Sequence, residues 1–198
     1  MNSDGRFKKV LFDEEMFKSN RSFAITKIKN NTKIIDSFIS REKEDLIILT
    51  SIGRIFKFSL CNKYIPPTTK QSQGLTLIKL LPTEEVVSCC NSNEKDTIFL
   101  VSKKGKYLKI KNHEIYYAHE FKLGYLNEKS PLKNDFFIKI LQGSQYLDIE
   151  TNKNKSARLN FSKIDNDSDK KNIVELKFLD LEKDEHLENC YRLENFLN

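Results

Sequence analysis

The stretch "LTSIGRIFKFSL", residues 49–60, decides how this chain is read. A β-branched apolar run reaches a turn at Gly53 and a basic, aromatic run leaves it, which is the pattern of a β-hairpin. Fifty-one residues further on the chain repeats it as "LVSKKGKYLKIK", residues 100–111. Placing the turn glycines in register adds "GRFKKV" at Gly5, with steps of 48 residues to Gly53 and 52 to Gly105. A fourth, degenerate copy is "ARLNFS" at Ala157, another 52 residues on. The residue after the turn position is basic each time: Arg6, Arg54, Lys106 and Arg158. A second lysine stands four places after the glycine in the first three copies, at Lys9, Lys57 and Lys109, and Phe161 takes that place in the fourth.

Each unit also has a second half with a basic turn, an apolar run, a polar turn and another apolar run. Gly74 and Gly124 mark its start in the second and third units. "DLIILTS", "RIFKFSL", "LTLIKLL", "EVVSCC", "TIFLVS" and "KYLKIK" are β-branched or aromatic runs bounded by turn residues. Helical periodicity is poor; the best helix candidate is "LDLEKDEHLENCYRLENF", residues 179–196. Four strands per unit at a period near fifty predict an all-β, propeller-like array of about four four-stranded blades, an incomplete ring. The array forms a single domain over 1–198 with units of about 1–43, 44–95, 96–146 and a degenerate 147–198. Gly5, Gly53, Gly74, Gly105 and Gly124 are its structural turns.

The 198 residues carry a net charge of +6 and a pI of about 9.0. That balance favours an acidic partner, with nucleic acid first and an anionic membrane second, against the bland reading that lysine only solvates the surface. No apolar window is long enough to span a membrane, and "MNSDGRFKKV" has no apolar core of a secretory signal. Cys61, Cys89, Cys90 and Cys190 form no C-x-x-C pair and read as reduced, mostly buried thiols of a cytosolic protein. Adjacent Cys89 and Cys90 point to opposite faces of a strand and do not bridge. His113 and His119 match no metal spacing, and "SKKGK" lacks the phosphate-loop pattern. Neither a cofactor nor a catalytic constellation is expected.

Unit two carries more than a period. "ILTSIGRIFKFSLCNKYIPPTTKQSQGLTLIKLLPTEEVVSCC" resembles a blade of the C-terminal domain of the DNA gyrase A subunit, shared with topoisomerase IV. The matching features are Thr50, Gly53, the basic strand Arg54 to Phe58, Ile65-Pro66, Lys70 to Gly74, Leu80-Leu81 and Glu84-Glu85. "FLVSKKGKYLKI" continues it, with Ser102 in place of a Thr. The resemblance is specific over roughly residues 44 to 112. It implies a β-pinwheel whose basic rim binds and bends duplex DNA without reading sequence. The chain departs from the family in having about four units rather than six, in starting inside a blade, and in lacking the Gln-Arg-Arg-Gly-Gly-Lys-Gly box. Its nearest equivalents are "NRSFA", "KQSQG" and "FKLG". The strand-breaking machinery of the parent enzyme is absent from the sequence.

The expectation is therefore a non-catalytic, sequence-nonspecific duplex DNA-binding or bending domain, cytoplasmic and nucleoid-associated, alongside other topoisomerase subunits. The competing class is a propeller-like protein-interaction scaffold whose basic charge is incidental. The residues expected on the DNA side are Arg6, Lys9, Arg21, Arg54, Lys57, Lys70, Lys103, Lys104, Lys106, Lys109, Lys122 and Arg158. Positions one and four after a glycine have opposite strand parity, so Arg54 and Lys57 face different sides unless the strand twists.

Overall fold

The computed structural model describes residues 1–11, 18, 24–28, 31–69, 71–118, 125–126, 135–143, 146–160, 174–175 and 180–193. Arg21, Lys70, Lys122 and Gly124 lie outside these residues. The described chain is strand and turn with a short 3-10 helix at Asn112–Glu114. The strands are β1 (Arg6–Phe7), β2 (Asp45–Thr50), β3 (Arg54–Ser59), β4 (Leu75–Thr76), β5 (Val86–Ser92), β6 (Thr97–Ser102) and β7 (Lys106–Lys111). They continue with β8 (Tyr125–Leu126), β9 (Phe137–Gln142), β10 (Tyr146–Thr151), β11 (Ser156–Asn160), β12 (Val174–Glu175) and β13 (Leu187–Leu193). All pair antiparallel in four sheets, ordered β1-β4, β5-β2-β3-β8, β9-β6-β7-β12 and β13-β10-β11.

The repeat is written in hydrogen bonds. After each hairpin strand one amide reaches the start of the inner strand of its own unit: Ser3 to the Lys33 carbonyl, Ser51 to Glu85, Lys103 to Phe136 and Asn152 to His186, at 2.8–3.0 Å. The ladder slips by one residue at the same place in three sheets, between Leu49 and Thr50, Val101 and Ser102, and Glu150 and Thr151. This β-bulge lets the hairpin turn away from the inner strand.

The outermost strand of a blade comes from the next unit. Arg6 pairs with Thr76, Arg54 with Leu126 and Lys106 with Glu175. The expectation that each unit holds its own four strands is corrected here: neighbouring blades are stitched together by exchange. The described sheets contain two, four, four and three strands, so two of them are full blades.

Strand alternation puts one core on each side of a blade. Leu46, Ile48, Phe56 and Cys89 pack toward unit one against Met1 and Phe7. Ile47, Leu49, Ile55 and Cys90 pack toward unit three against Ile98, Leu100, Leu108 and Ile140. Phe99, Val101, Tyr107 and Leu141 pack toward unit four against Leu147, Ile149, Leu159 and Leu187. Cover on both faces explains why "DLIILT" shows no alternation and is buried throughout. Each such aliphatic residue contributes about 1.5–3 kcal/mol by burial. The adjacent thiols of Cys89 and Cys90 fall in separate cores, and none of the four cysteines is in a disulfide.

The helix candidate at 179–196 is overturned. Its middle is β13, which pairs along β10 in the register that β5 takes on β2. The stretch lacked a 3.6-residue stripe, and sheet pairing satisfies its backbone instead.

Candidate nucleic-acid interface

The hairpin turn is built around a glycine. Gly5, Gly53, Gly74 and Gly105 have φ of +82°, +83°, +81° and +72°, the region that a Cβ disfavours. At Gly74 a Cβ would also stand 2.4 Å from the Phe7 carbonyl oxygen, so the exchanged strand could not close on β1.

The turn at Gly53 is held from inside by Thr50 and Arg54. The Arg54 amide donates to Thr50 Oγ1 at 3.2 Å, four residues back. The Arg54 guanidinium grips Glu84, thirty residues on, with Nε donating to Oε1 at 2.8 Å and Nη2 to Oε2. Nη2 also reaches the Lys79 carbonyl at 3.1 Å, and the group stacks 4.9 Å from the Phe56 ring centre. Burial alone would raise the Glu84 pKa. Bonds from Arg54, the Leu81 amide and Thr50 outweigh it and hold the carboxyl below its ordinary value.

Unit four repeats this device with other residues. Thr151 Oγ1 accepts from the Lys155 amide at 3.3 Å, four residues on, and donates to Glu185 Oε1 at 2.6 Å. Lys155 Nζ donates to Glu185 Oε2 at 2.8 Å, again thirty residues on. The bonds from Lys155 and Thr151 pull Glu185 down to about 2. Asn154, at φ +60°, takes the glycine's place. In unit three Ser102 Oγ accepts from the Lys106 amide at 3.0 Å and donates to Asp135 Oδ2 at 2.7 Å.

These bonds correct the register of the fourth copy. The turn position is Asn154, not Ala157, and the partner of Arg54 and Lys106 is Lys155, not Arg158. The ladders place Arg158 with Lys57 and Lys109 instead: Ile47 faces Lys57, Phe99 faces Lys109 and Asp148 faces Arg158. There Arg158 grips Asp148 with two bonds of 2.6 and 2.7 Å and holds that carboxyl below its usual range.

The lysine four places after the glycine joins blades. Lys9 Nζ donates to the Leu60 carbonyl at 2.5 Å, and Lys57 Nζ to the Asn112 carbonyl at 3.2 Å. Both carbonyls close the second hairpin strand of the following unit. Lys57 is 3% exposed, 3.4 Å from Asp45 and 4.4 Å from the Tyr117 ring centre, while the Tyr117 hydroxyl donates to Asp45 at 3.0 Å. Arg54 is 5% exposed. Both are thus paired inside the fold, where a cation cannot leave without stranding a buried carboxylate. Lys9 also bonds Asn62, and Arg6 lies 3.5 Å from Asp4.

The turn of unit three differs. Lys104 is exposed, and Lys103, Lys106 and Lys109 are half-buried. The Lys104 amide is anchored by Asp135 at 3.0 Å, and the Lys103 ammonium lies 5.5 Å from the Phe136 ring centre. Lys104 and Lys106 line a cleft of about 350 Å³ with Lys183, His186 and the carboxylates of Glu182, Asp184 and Glu185. Glu182 and Glu185 are already occupied by Lys153 and Lys155. Asp135 and Glu185 were missed in the sequence, and Glu84 was noted without its partner; the findable signal is an acid about thirty residues after the basic residue of each turn.

Exchanged outer strands and shared interblade cores define a bladed, propeller-like fold. The family model described as DNA gyrase C-terminal domain, β-propeller, matches residues 44–89 and 96–115, which lie in units two and three. Among solved structures, the C-terminal domain of DNA topoisomerase IV is similar at 16% identity with a TM-score of 0.68, over 81% of this chain and 51% of that one. The E. coli ParC C-terminal domain is similar at 13% identity with a TM-score of 0.60, over 98% of this chain and 77% of that one. The chain thus spans about half the length of that topoisomerase IV domain. No curated protein matches it.

Proposed function

We propose that this chain is a non-catalytic module that binds duplex DNA through its phosphates, without reading sequence, as an accessory to a type IIA topoisomerase in the cytoplasm. The observation that carries this is the contrast among its cations. Arg54 and Lys57 of unit two are held inside the fold, whereas Lys103, Lys104 and Lys106 stand together on one turn of a chain of net charge +6. Lysine suits phosphate contact as a point charge on a flexible stem. Each ammonium that displaces a counterion adds about 0.9 to the slope of log affinity against log salt. A duplex that follows a curved rim is also bent, which favours deformable DNA.

The test is duplex affinity against salt for the chain and for Lys103→Ala, Lys104→Ala and Lys106→Ala combined. The slope falls by about two to three, equally on unrelated sequences. An unchanged slope, or no duplex binding at moderate salt, rejects the reading in favour of a protein-interaction scaffold.

A further inference from the structure

The two flanks of the array are chemically unlike. On the side facing a following unit, blades two and three present Ile47, Leu49, Ile55, and Phe99, Val101, Tyr107. The ladders put Asp148, Glu150 and Ser156 at the equivalent places in blade four, beside the Asp148–Arg158 ion pair. Blade four is thus polar where blades two and three are apolar.

The opposite flank, on unit one, has no such finish. Ile34 follows the repeated hydrogen bond that also precedes Val86, Phe137 and Leu187. Those three are 0%, 5% and 1% exposed, whereas Ile34 is 52% exposed. Val86 and Leu187 pack into the interblade cores, and their amides bond to the preceding unit, at Ser3 and Lys103. No described residue does this for Ile34. Ile39 is 67% exposed at the position where later units carry the amides Asn91 and Gln142. Segment 24–28 precedes Ile34 as the exchanged strand β4 precedes Val86, and it shows Ile25 and Ile28 at 49% and 47%. Lys8 Nζ holds it by the Ile25 carbonyl.

We propose that two copies of this chain associate through these N-terminal flanks about a two-fold axis, burying Ile25, Ile28, Ile34 and Ile39 between them. The flank continues the interblade interface that recurs along the chain, and its complement is a second apolar blade face. Head-to-tail stacking would set isoleucines on Asp148, Glu150 and Arg158. A like-to-like contact removes them from water, and such an isologous contact closes at two copies.

Sedimentation equilibrium of the 198-residue chain across micromolar concentrations tests this. The expected mass rises from 23.2 kDa toward twice that value. Ile34→Asp raises the dissociation constant at least about tenfold, as loss of a buried apolar anchor does, and Ile39→Asp does the same. Glu150→Ala and Ser156→Ala, on blade four, leave it unchanged. Thermal melts confirm that each variant is folded; if Ile34→Asp is not, Ile39→Asp decides. A chain that stays monomeric throughout overturns the proposal. So does a dimer insensitive to both isoleucine variants and lost in the blade-four variants. DNA is absent from the measurement, so its outcome is independent of duplex binding.

Discussion

Unit two and unit four place the same hydrogen bonds on different residues. In one, Thr50, Gly53, Arg54 and Glu84 make the turn; in the other, Thr151, Asn154, Lys155 and Glu185 make it. What persists is a hydroxyl, a left-handed residue, a cation and an acid thirty residues on. What changes is how deep the pair lies: the Arg54 side chain is 6% exposed and Lys155 47%. The repeated basic residue is therefore a structural member of the turn before it is anything else. The difference also separates a blade covered on both faces from one whose outer face meets water.

The largest effect is expected where that pair is deepest. Arg54→Ala leaves Glu84 buried without its partner and should cost about 3–5 kcal/mol, read from the midpoint of urea unfolding. Lys155→Ala should cost clearly less, because water reaches the ammonium and screens the pair. Equal losses would erase the distinction between the two units.

Glycine substitutions come next and separate conformation from space. Gly74→Ala meets the Phe7 carbonyl as well as an unfavourable φ and should cost about 2–4 kcal/mol. At Gly53 a Cβ would find nothing within 4 Å. Gly53→Val then carries the backbone penalty, about 1–3 kcal/mol. Should Gly53→Val prove the worse of the two, strand exchange at Phe7 is not what Gly74 protects.

Acid sharpens the comparison in another way. Glu185 sits at about 2 in the folded chain, below its ordinary 4.5, and Glu84 is shifted in the same direction. A depressed carboxyl contributes stability that is complete above the unfolded pKa and is lost as pH falls through the folded one. Urea midpoints should therefore drop between about pH 4.5 and 2, and less in Glu185→Gln than in the parent. A drop of the same size in that variant would remove Glu185 from the account.

The smallest effect has the opposite sign. Asn154 occupies a left-handed conformation at φ +60°, which glycine adopts without penalty. Asn154→Gly should be neutral or stabilise by up to about 1 kcal/mol, and Asn154→Ala should destabilise. A destabilising Asn154→Gly would mean that the asparagine side chain matters more than its backbone.

Much of the fold was legible because both faces of each blade are covered. "DLIILT" and "TIFLVS" could only be buried strands, and the glycine register gave the period. The fourth unit was misaligned by three residues because its turn uses Asn154 in place of glycine, so the 52-residue step was set on Ala157 and Arg158 was taken for the equivalent of Arg54. Strand exchange was hidden because β4, β8 and β12 are two residues long, too short to carry a periodicity. The site was legible only as charge. Arg54 and Lys57 look like surface cations in a basic strand. Their burial depends on Glu84, thirty residues away, and on Asn112, fifty-five away. No local pattern reports either pairing, although strand parity flagged that the two could not share one face.

Lysine acylation followed by mass spectrometry tests most directly whether buried and accessible cations have different work. In the folded chain, Lys57 should resist the reagent and react only on unfolding, while Lys104 reacts at once, since 3% exposure leaves the Lys57 amine nowhere to meet it. Added duplex should then slow Lys103, Lys104 and Lys106 and leave Lys57 as it was. A Lys57 that reacts in the folded chain as fast as Lys104, and is shielded by DNA as they are, would contradict the account and return the repeated lysine to the rim.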